Sequence, residues 1–165
     1  MEEDINTKVS DDNVRHGMVH FVLSHSYVVF LMAIVLGAIF NIIYNFNIFL
    51  NPIYQYIGLI MIMLGSFLIY WSQSTSRYIK ENTEHGVIYN FEGGPYKYSR
   101  NPTHIGVAIM TLGLGLLVNS LFIIIFVIAA YIVTGLIFLK AEEKLLEQKY
   151  GQKYLDYKNK VKIWL

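Results

Sequence analysis

Residues 26–76 read SYVVFLMAIVLGAIFNIIYNFNIFLNPIYQYIGLIMIMLGSFLIYWSQSTS and contain no Asp, Glu, Lys or Arg. After a charged segment, residues 101–139 form a second stretch without any of these four residue types. A helix that crosses the hydrocarbon core of a bilayer needs roughly 20 apolar residues. Each stretch is therefore long enough for two membrane-crossing helices, and the second pair is the shorter one.

The composition of the whole chain agrees with this interpretation. Of its 165 residues, 55% are hydrophobic and 15% are charged, whereas about 25% are charged in a soluble domain. A net charge of +1 gives no general attraction for nucleic acid. The absence of cysteine excludes disulfides, zinc–thiolate sites, iron–sulfur clusters and cysteine nucleophiles. We predict no metal site, because His16, His20 and His25 have no obvious acidic partner among their neighbours.

Polar breaks divide each uncharged stretch. Asn51-Pro52 interrupts the first, because proline disfavours helix in the residue before it, and residues 118–120 (Val-Asn-Ser) interrupt the second. We therefore predict an all-α membrane protein in which the third and fourth helices form a tight hairpin. The four predicted transmembrane helices are about Tyr27–Asn47, Pro52–Ser74, Pro102–Val118 and Leu121–Lys140.

The positive charges predict the orientation in the membrane. All 13 Lys and Arg residues lie before the first helix, between the second and third, or at and after the end of the fourth. By the positive-inside rule, both termini and the central loop face the cytoplasm. We predict one domain, residues 1–165, with an interfacial N-terminal segment (1–25), a transmembrane part (26–140) and a cytoplasmic C-terminal segment (141–165).

The first concentration of reactive groups surrounds the start of the third helix. Residues 93–96 (Gly-Gly-Pro-Tyr) predict a turn, and Asn101 and Pro102 are favourable at the N-cap and first helical positions. The free N–H groups of this helix start, with Arg100 beside them, could bind an anion. A plain helix start with Tyr and Arg side chains as interface anchors explains the same residues.

The second concentration follows the fourth helix. Glu142 and Glu143 point about 100° apart on a helix, so one could face a cleft while the other faces water. The alternative is a solvated helix end. Gly151 predicts the end of this helix. For Tyr154 and Tyr157, which share a face near several lysines, we favour a peripheral segment resting on anionic lipid headgroups.

Together these segments resemble one family. GPYKYSRNPTHIG (94–106) is similar to the GPYryvRHPmYlG stretch of the isoprenylcysteine carboxyl methyltransferase and phospholipid methyltransferase superfamily. EEKLLEQKYGQKYLDY (142–157) resembles the ending of that superfamily, EE..L...fG.eY..Y. The resemblance covers roughly residues 55–162, and the helical hairpin between the motifs also fits.

The resemblance implies an integral membrane enzyme that uses S-adenosylmethionine in a cytoplasmic pocket capped by the C-terminal segment. It further implies a lipophilic or lipidated acceptor, membrane lipids as surroundings and no nucleic-acid partner. The residues expected to carry the chemistry are Arg100, Glu142 and Glu143. The residues expected to bind the cofactor are Asn90, Phe91, Tyr96, Asn101, Pro102, Thr103, His104 and Glu142.

Three hypotheses for the function follow. The first, which the resemblance favours over the other two, is methyl transfer to a lipophilic acceptor as in isoprenylcysteine carboxyl methyltransferases, that is, to the carboxylate of an isoprenylcysteine-like lipid. In that branch of the superfamily an Arg one turn before the Glu pair is expected to bind the substrate carboxylate, but here the position holds Phe138. The second hypothesis, N-methylation of a phospholipid, needs no such Arg. The third is a membrane scaffold that keeps the fold without catalysis.

Overall fold

The computed structural model describes residues 26–44, 51–84 and 92–162, and in this part of the chain the helices are joined by short turns and loops, without a β-strand. The predicted all-α class is confirmed for these residues. The N-terminal segment 1–25 lies outside them. The helices are α1 (Ser26–Tyr44), α2 (Ile53–Glu84), α3 (Pro102–Leu117), α4 (Leu121–Tyr150) and α5 (Gln152–Lys160), with a 3₁₀ turn at Gly94–Lys97.

Three of these helices, α1, α2 and α4, are long and apolar enough to cross a membrane. The 16 residues of α3 are apolar but span only about 24 Å, less than the ~30 Å hydrocarbon core of a typical bilayer. Complete passage of α3 through the bilayer, and the cytoplasmic location of the termini, therefore stay predictions. Both α2 and α4 continue well beyond the predicted spans, which ended at Ser74 and Lys140.

The predicted breaks between helices are confirmed. Asn51 Oδ1 accepts a hydrogen bond from Ile53 N at 3.0 Å, and α2 begins one residue after Pro52. Residues 118–120 alone connect α3 to α4. In this turn Asn119 has a φ of 53°, a left-handed conformation that asparagine tolerates, and Ser120 Oγ accepts from Ile123 N at 3.3 Å.

Glycines allow α2 and α3 to pack with their backbones in close contact. A Cβ added to Gly113 would lie 2.6 Å from the Gly58 carbonyl oxygen, and one added to Gly58 would lie 2.6 Å from the Gly113 carbonyl oxygen. A second such contact lies seven residues further along α2 and seven residues earlier in α3, where a Cβ on Gly65 would lie 2.7 Å from the Gly106 carbonyl oxygen. Small residues permit such contacts between apolar helices, where lipid provides no hydrophobic driving force.

Helix α1 packs on the other side of α3 and on α4. A buried apolar cluster joins the three helices, and its members are Phe30, Ala33, Val107, Ala108, Ile123, Val127 and Ala130. Gly37 adds a close contact, because a Cβ there would lie 2.6 Å from Ile123 Cα. The arrangement brings the first turn of α1, the last turns of α2 and the start of α3 to the same end of the helices.

Substitution of Gly113 by alanine is expected to destabilise the protein by about 1–3 kcal/mol, because the added methyl group has no room between α2 and α3. The measurement is the thermal unfolding midpoint of the detergent-purified protein. Ala129→Val, which adds volume at an exposed position of α4, is the control and should leave the midpoint nearly unchanged. Equal midpoints for wild type and Gly113→Ala would contradict this account of the contact.

Candidate functional site

The loop before α3 lies directly against α2, and Gly94 makes this possible. Its φ is +51°, which glycine adopts without strain, and an added Cβ would lie 2.5 Å from Thr75 Oγ1 of α2. Pro95, which follows, is buried. The turn therefore holds Tyr96 beside Thr75 and Ser76, about two turns before the end of α2.

Tyr96 is the centre of a polar cluster. Its hydroxyl group forms hydrogen bonds with the side chains of Thr103 on α3 and Ser76 on α2. Glu142 of α4 and Tyr27 of α1 are close enough to interact with it electrostatically. Burial raises the pKa of the Tyr96 phenol, so the group is neutral and able to donate a hydrogen bond at physiological pH.

Helix α1 completes this cluster. The Tyr27 hydroxyl forms a hydrogen bond with the Gln73 side chain of α2 and also interacts electrostatically with Glu142. Tyr27 remains 40% exposed, so the cluster is open on the side of α1. Two phenol rings and a carboxylate from different helices thus meet at the same end of the apolar helices.

A second polar group contains the buried pair Arg100–Glu143. Arg100 Nη1 lies 2.7 Å from Glu143 Oε1, and the two side chains are 10% and 8% exposed. Lys158 of α5 lies 3.4 Å from Glu143 Oε2 and is also hydrogen-bonded to Glu147, which raises the pKa of Lys158. Arg100 Nε has no hydrogen-bond partner among the described residues, so the guanidinium retains one donor for a ligand besides its contact with Glu143.

Helix α5 is fixed onto the loop that precedes α3. The Tyr157 hydroxyl donates to the Tyr96 carbonyl oxygen at 2.8 Å, and Arg100 N–H donates to the Lys162 carbonyl oxygen at 3.1 Å. Tyr154 and Tyr157 are only 2% and 5% exposed. Their burial raises the pKa of both phenols, so Tyr157 remains a hydrogen-bond donor.

Two of our sequence interpretations are therefore wrong. We expected Tyr154 and Tyr157 to rest on lipid headgroups, but they pack against Leu146 and Tyr150 of α4, because the turn at Gly151 folds α5 back onto the protein. A solvated end of α4 is also excluded for Glu143, which is 6% exposed.

His104 lies one turn into α3 and faces the other helices. Its Nε2 is 3.1 Å from Thr134 Oγ1, and its ring stacks on Tyr131 at 5.1 Å and meets the edge of Phe30 at 5.3 Å. These contacts join α3 to α1 and α4 below the polar cluster. Asn101 occupies the N-cap position of α3 as predicted, but its side chain makes no capping hydrogen bond.

The structure thus brings together most of the predicted site residues in two adjacent groups. Tyr96, Thr103 and Glu142 form the first, and Arg100 and Glu143 form the second. Pro102 is buried at the first position of α3. Asn90 and Phe91, and the three histidines near the N-terminus, lie outside the described residues.

Sequence reasoning missed four side chains that surround the predicted residues: Tyr27, Gln73, Ser76 and Lys158. Tyr27 lies at the start of the first uncharged stretch, and Gln73 and Ser76 lie at its end. Polar side chains at the ends of apolar helices could have suggested all three. No local pattern distinguishes Lys158 from its neighbouring lysines.

The fold and the site together define a class of membrane protein whose apolar helices end in a shared polar site. The profile of the phospholipid methyltransferase family matches residues 53–153, and the chain belongs to this family. Membership indicates methyltransferase activity in a membrane. A comparison with curated proteins found no significant match. Helix α1 precedes the matched region, so its contribution to the site comes from outside the family profile.

Removing Glu143 is expected to destabilise the protein by about 3–5 kcal/mol, because the buried Arg100 charge is left uncompensated, whereas removing Arg100 should cost less, because Lys158 still lies 3.4 Å from Glu143. Glu143→Met and Arg100→Met should each lower the unfolding midpoint in detergent. The double variant should recover much of the loss, since it buries no charge.

Lys160→Gln is the matched control, because Lys160 pairs with Glu92 at 3.0 Å on the surface, where an ion pair contributes about 0–1 kcal/mol. Additive losses in the double variant would show that Arg100 and Glu143 do not interact.

Loss of the Tyr157 hydroxyl is expected to loosen α5. Tyr157→Phe removes the hydrogen bond to the Tyr96 carbonyl, an interaction of about 1 kcal/mol, so α5 should be cleaved roughly fivefold faster in limited trypsin digestion. Tyr98→Phe, at a position 63% exposed, is the control. Identical digestion of both variants would contradict the docking of α5 through Tyr157.

Proposed function

We propose that the protein is an S-adenosylmethionine-dependent methyltransferase that acts on a lipophilic acceptor at the cytoplasmic face of the membrane. The observation that carries the proposal is the meeting of Tyr96, Thr103 and Glu142 beside Arg100, at one end of helices apolar enough for a bilayer. The one-sided distribution of Lys and Arg supports the cytoplasmic location.

The residues of the site fit this cofactor. Its carboxylate matches the start of α3 and Arg100, whose Nε has no hydrogen-bond partner among the described residues. Its ammonium group or ribose hydroxyls match the Glu142 carboxylate, and its sulfonium matches the face of the Tyr96 ring. Thr103 holds the Tyr96 hydroxyl, so the ring orientation is fixed before binding. We retain Asn90, Phe91, Asn101, Pro102 and His104 as further cofactor-contacting residues in this proposal.

When bound, the cofactor would supply an electrophilic methyl group, which the acceptor would take by in-line attack on the methyl carbon with a neutral thioether as the leaving group. The protein contributes position and a dry environment to such a reaction. Glu143 holds the Arg100 guanidinium in position at 2.7 Å, and α5 covers the loop that carries Tyr96. Glu142 is placed to accept the proton that an amine acceptor loses on methylation.

For the acceptor we favour the amine of a phospholipid over the carboxylate of a prenylated cysteine. The match to the phospholipid methyltransferase family supports this choice. Phe138 supports it too, because a phenyl ring cannot replace the arginine expected to bind a substrate carboxylate. The ring of Tyr27, which is 40% exposed on the open side of the cluster, suits a cationic headgroup.

The test begins with calorimetric binding of S-adenosylhomocysteine and S-adenosylmethionine to the purified protein. Glu142→Gln is expected to weaken the binding of S-adenosylmethionine at least about tenfold, because it removes the charge opposite the ammonium group. Asp156→Asn, on the exposed side of α5, is the control with unchanged affinity. Full affinity in Glu142→Gln would refute the assigned role of this residue.

Labelled cofactor then identifies the acceptor. Phosphatidylethanolamine should receive the label, and a farnesylated cysteine analogue should not. Labelling of the farnesylated compound alone would establish carboxyl methylation instead. A folded wild-type protein that binds neither cofactor form would favour a non-catalytic scaffold.

A further inference from the structure

A groove of about 360 Å³ lies between the end of α4 and α5, apart from the cluster around Tyr96. Its volume is within the range of small-ligand sites. Charged side chains alone line it, and they are Lys140, Glu143, Lys144, Glu147 and Lys158. Of these, Glu143, Glu147 and Lys158 also take part in the ion pairs described above, whereas Lys140 and Lys144 do not.

The charges in this groove do not balance. Lys158 contacts both Glu143 and Glu147, and Arg100 approaches Glu143 from behind the groove. Two carboxylates are thus matched by two cations. No ion pair within the described ranges involves Lys140 or Lys144, which are both exposed. The groove consequently carries two positive charges without a counterion from the described protein.

Lys140 and Lys144 also repel each other. Residues four apart on a helix are neighbours, and a like-charged pair at this spacing destabilises the helix. An anion bound between the two ammonium groups would convert this repulsion into two favourable contacts. A phosphate group has the charge and the several acceptor oxygens that such a pair requires.

The exposed surface of α4 before the groove is apolar. Val133 and Ile137 are 44% and 59% exposed, and they precede Lys140 and Lys144 on the same face of the helix at alternating spacings of four and three residues. Only about 4.5 Å along the helix axis separates Ile137 from Lys140. This face of α4 thus changes abruptly from apolar to cationic. A phospholipid lying along it would need the same change, from apolar contacts at its acyl chains to cationic contacts at its phosphate.

We propose that this groove is a binding site for the phosphate of a membrane phospholipid, with the acyl chains along Val133 and Ile137 and the phosphate between Lys140 and Lys144. The proposal does not depend on methyl transfer, because it concerns a lipid that is bound whether or not it reacts. A specific site of this kind differs from the general electrostatic attraction of surface lysines to an anionic membrane. That general attraction would not keep an individual lipid on the protein once detergent has replaced the bilayer.

The test is retention of a single lipid by the detergent-purified protein, measured by native mass spectrometry. Wild type should retain one molecule of dioleoyl phosphatidylglycerol and no dioleoylglycerol, which has the same chains without the phosphate. The double variant Lys140→Gln/Lys144→Gln should bind the phospholipid about 10- to 30-fold more weakly. Lys153→Gln, which removes an exposed lysine outside the groove, is the matched control and should bind as wild type does.

Several outcomes would overturn the proposal. They are equal retention by the double variant and wild type, equal retention of dioleoylglycerol, or an equal loss in Lys153→Gln. Inorganic phosphate added at the lipid's concentration distinguishes the sources of the anion. No displacement supports a lipid headgroup, whereas full displacement would show a site for soluble phosphate. Unchanged unfolding midpoints of the variants will show that any loss of lipid does not come from misfolding.

Discussion

The close contact between α2 and α3 determines where the polar site lies. The two helix axes are close together at two contacts, Gly58 with Gly113 and Gly65 with Gly106. At this distance the helices cannot shift far along each other without a clash between their backbones. Because the helices run antiparallel, the last turns of α2 are fixed beside the first turn of α3. The loop that carries Tyr96 must then pass along the side of α2, where Gly94 fits against Thr75. Apolar packing inside the helical bundle thereby positions hydroxyl groups at its end.

Electrostatics then fixes the remaining elements around that point. A charge that is withdrawn from water is costly unless it is paired, so Arg100 and Glu143 constrain the start of α3 and the end of α4 to approach each other. Lys158 extends the pairing to α5, and the hydrogen bond between Tyr157 and the Tyr96 carbonyl adds a neutral contact. Three segments that are distant in sequence are thus held together by a few buried polar interactions.

The sequence allowed the helices to be predicted because the bilayer imposes a strong constraint on composition. Uncharged stretches, Pro52 and the residues 118–120 located several helix boundaries nearly to the residue, as the starts of α2 and α4 and both ends of α3 show. The outer limits of α2 and α4 could not be predicted in the same way, since a helix continues into water without any change in hydrogen bonding. A prediction from the extent of the uncharged sequence therefore underestimated the lengths of α2 and α4.

The site was predictable only in part for a related reason. Residues within one motif, such as Tyr96 and Thr103, are close in sequence and could be grouped from it. The burial of Tyr154 and Tyr157 depends on the direction in which α5 leaves Gly151, and local sequence does not specify that direction. Tyr27 joins the cluster only through the packing of α1 against α3 and α4, a tertiary contact that no spacing rule predicts.

The end of α4 shows how one helix can serve several purposes without conflict. Glu142 and Glu143 are consecutive, so their side chains diverge by about 100°, and they face the Tyr96 cluster and the Arg100 side chain respectively. Lys140 and Lys144 face a third direction, toward the groove. Only Glu143 belongs to two of these environments, since it pairs with Arg100 and also lines the groove. The side chains of Glu142, Lys140 and Lys144 can therefore interact with a ligand while the ion pair between Arg100 and Glu143, which maintains the fold, stays intact. The extension of the 30-residue helix α4 beyond its apolar part thus provides three separate directions for polar side chains.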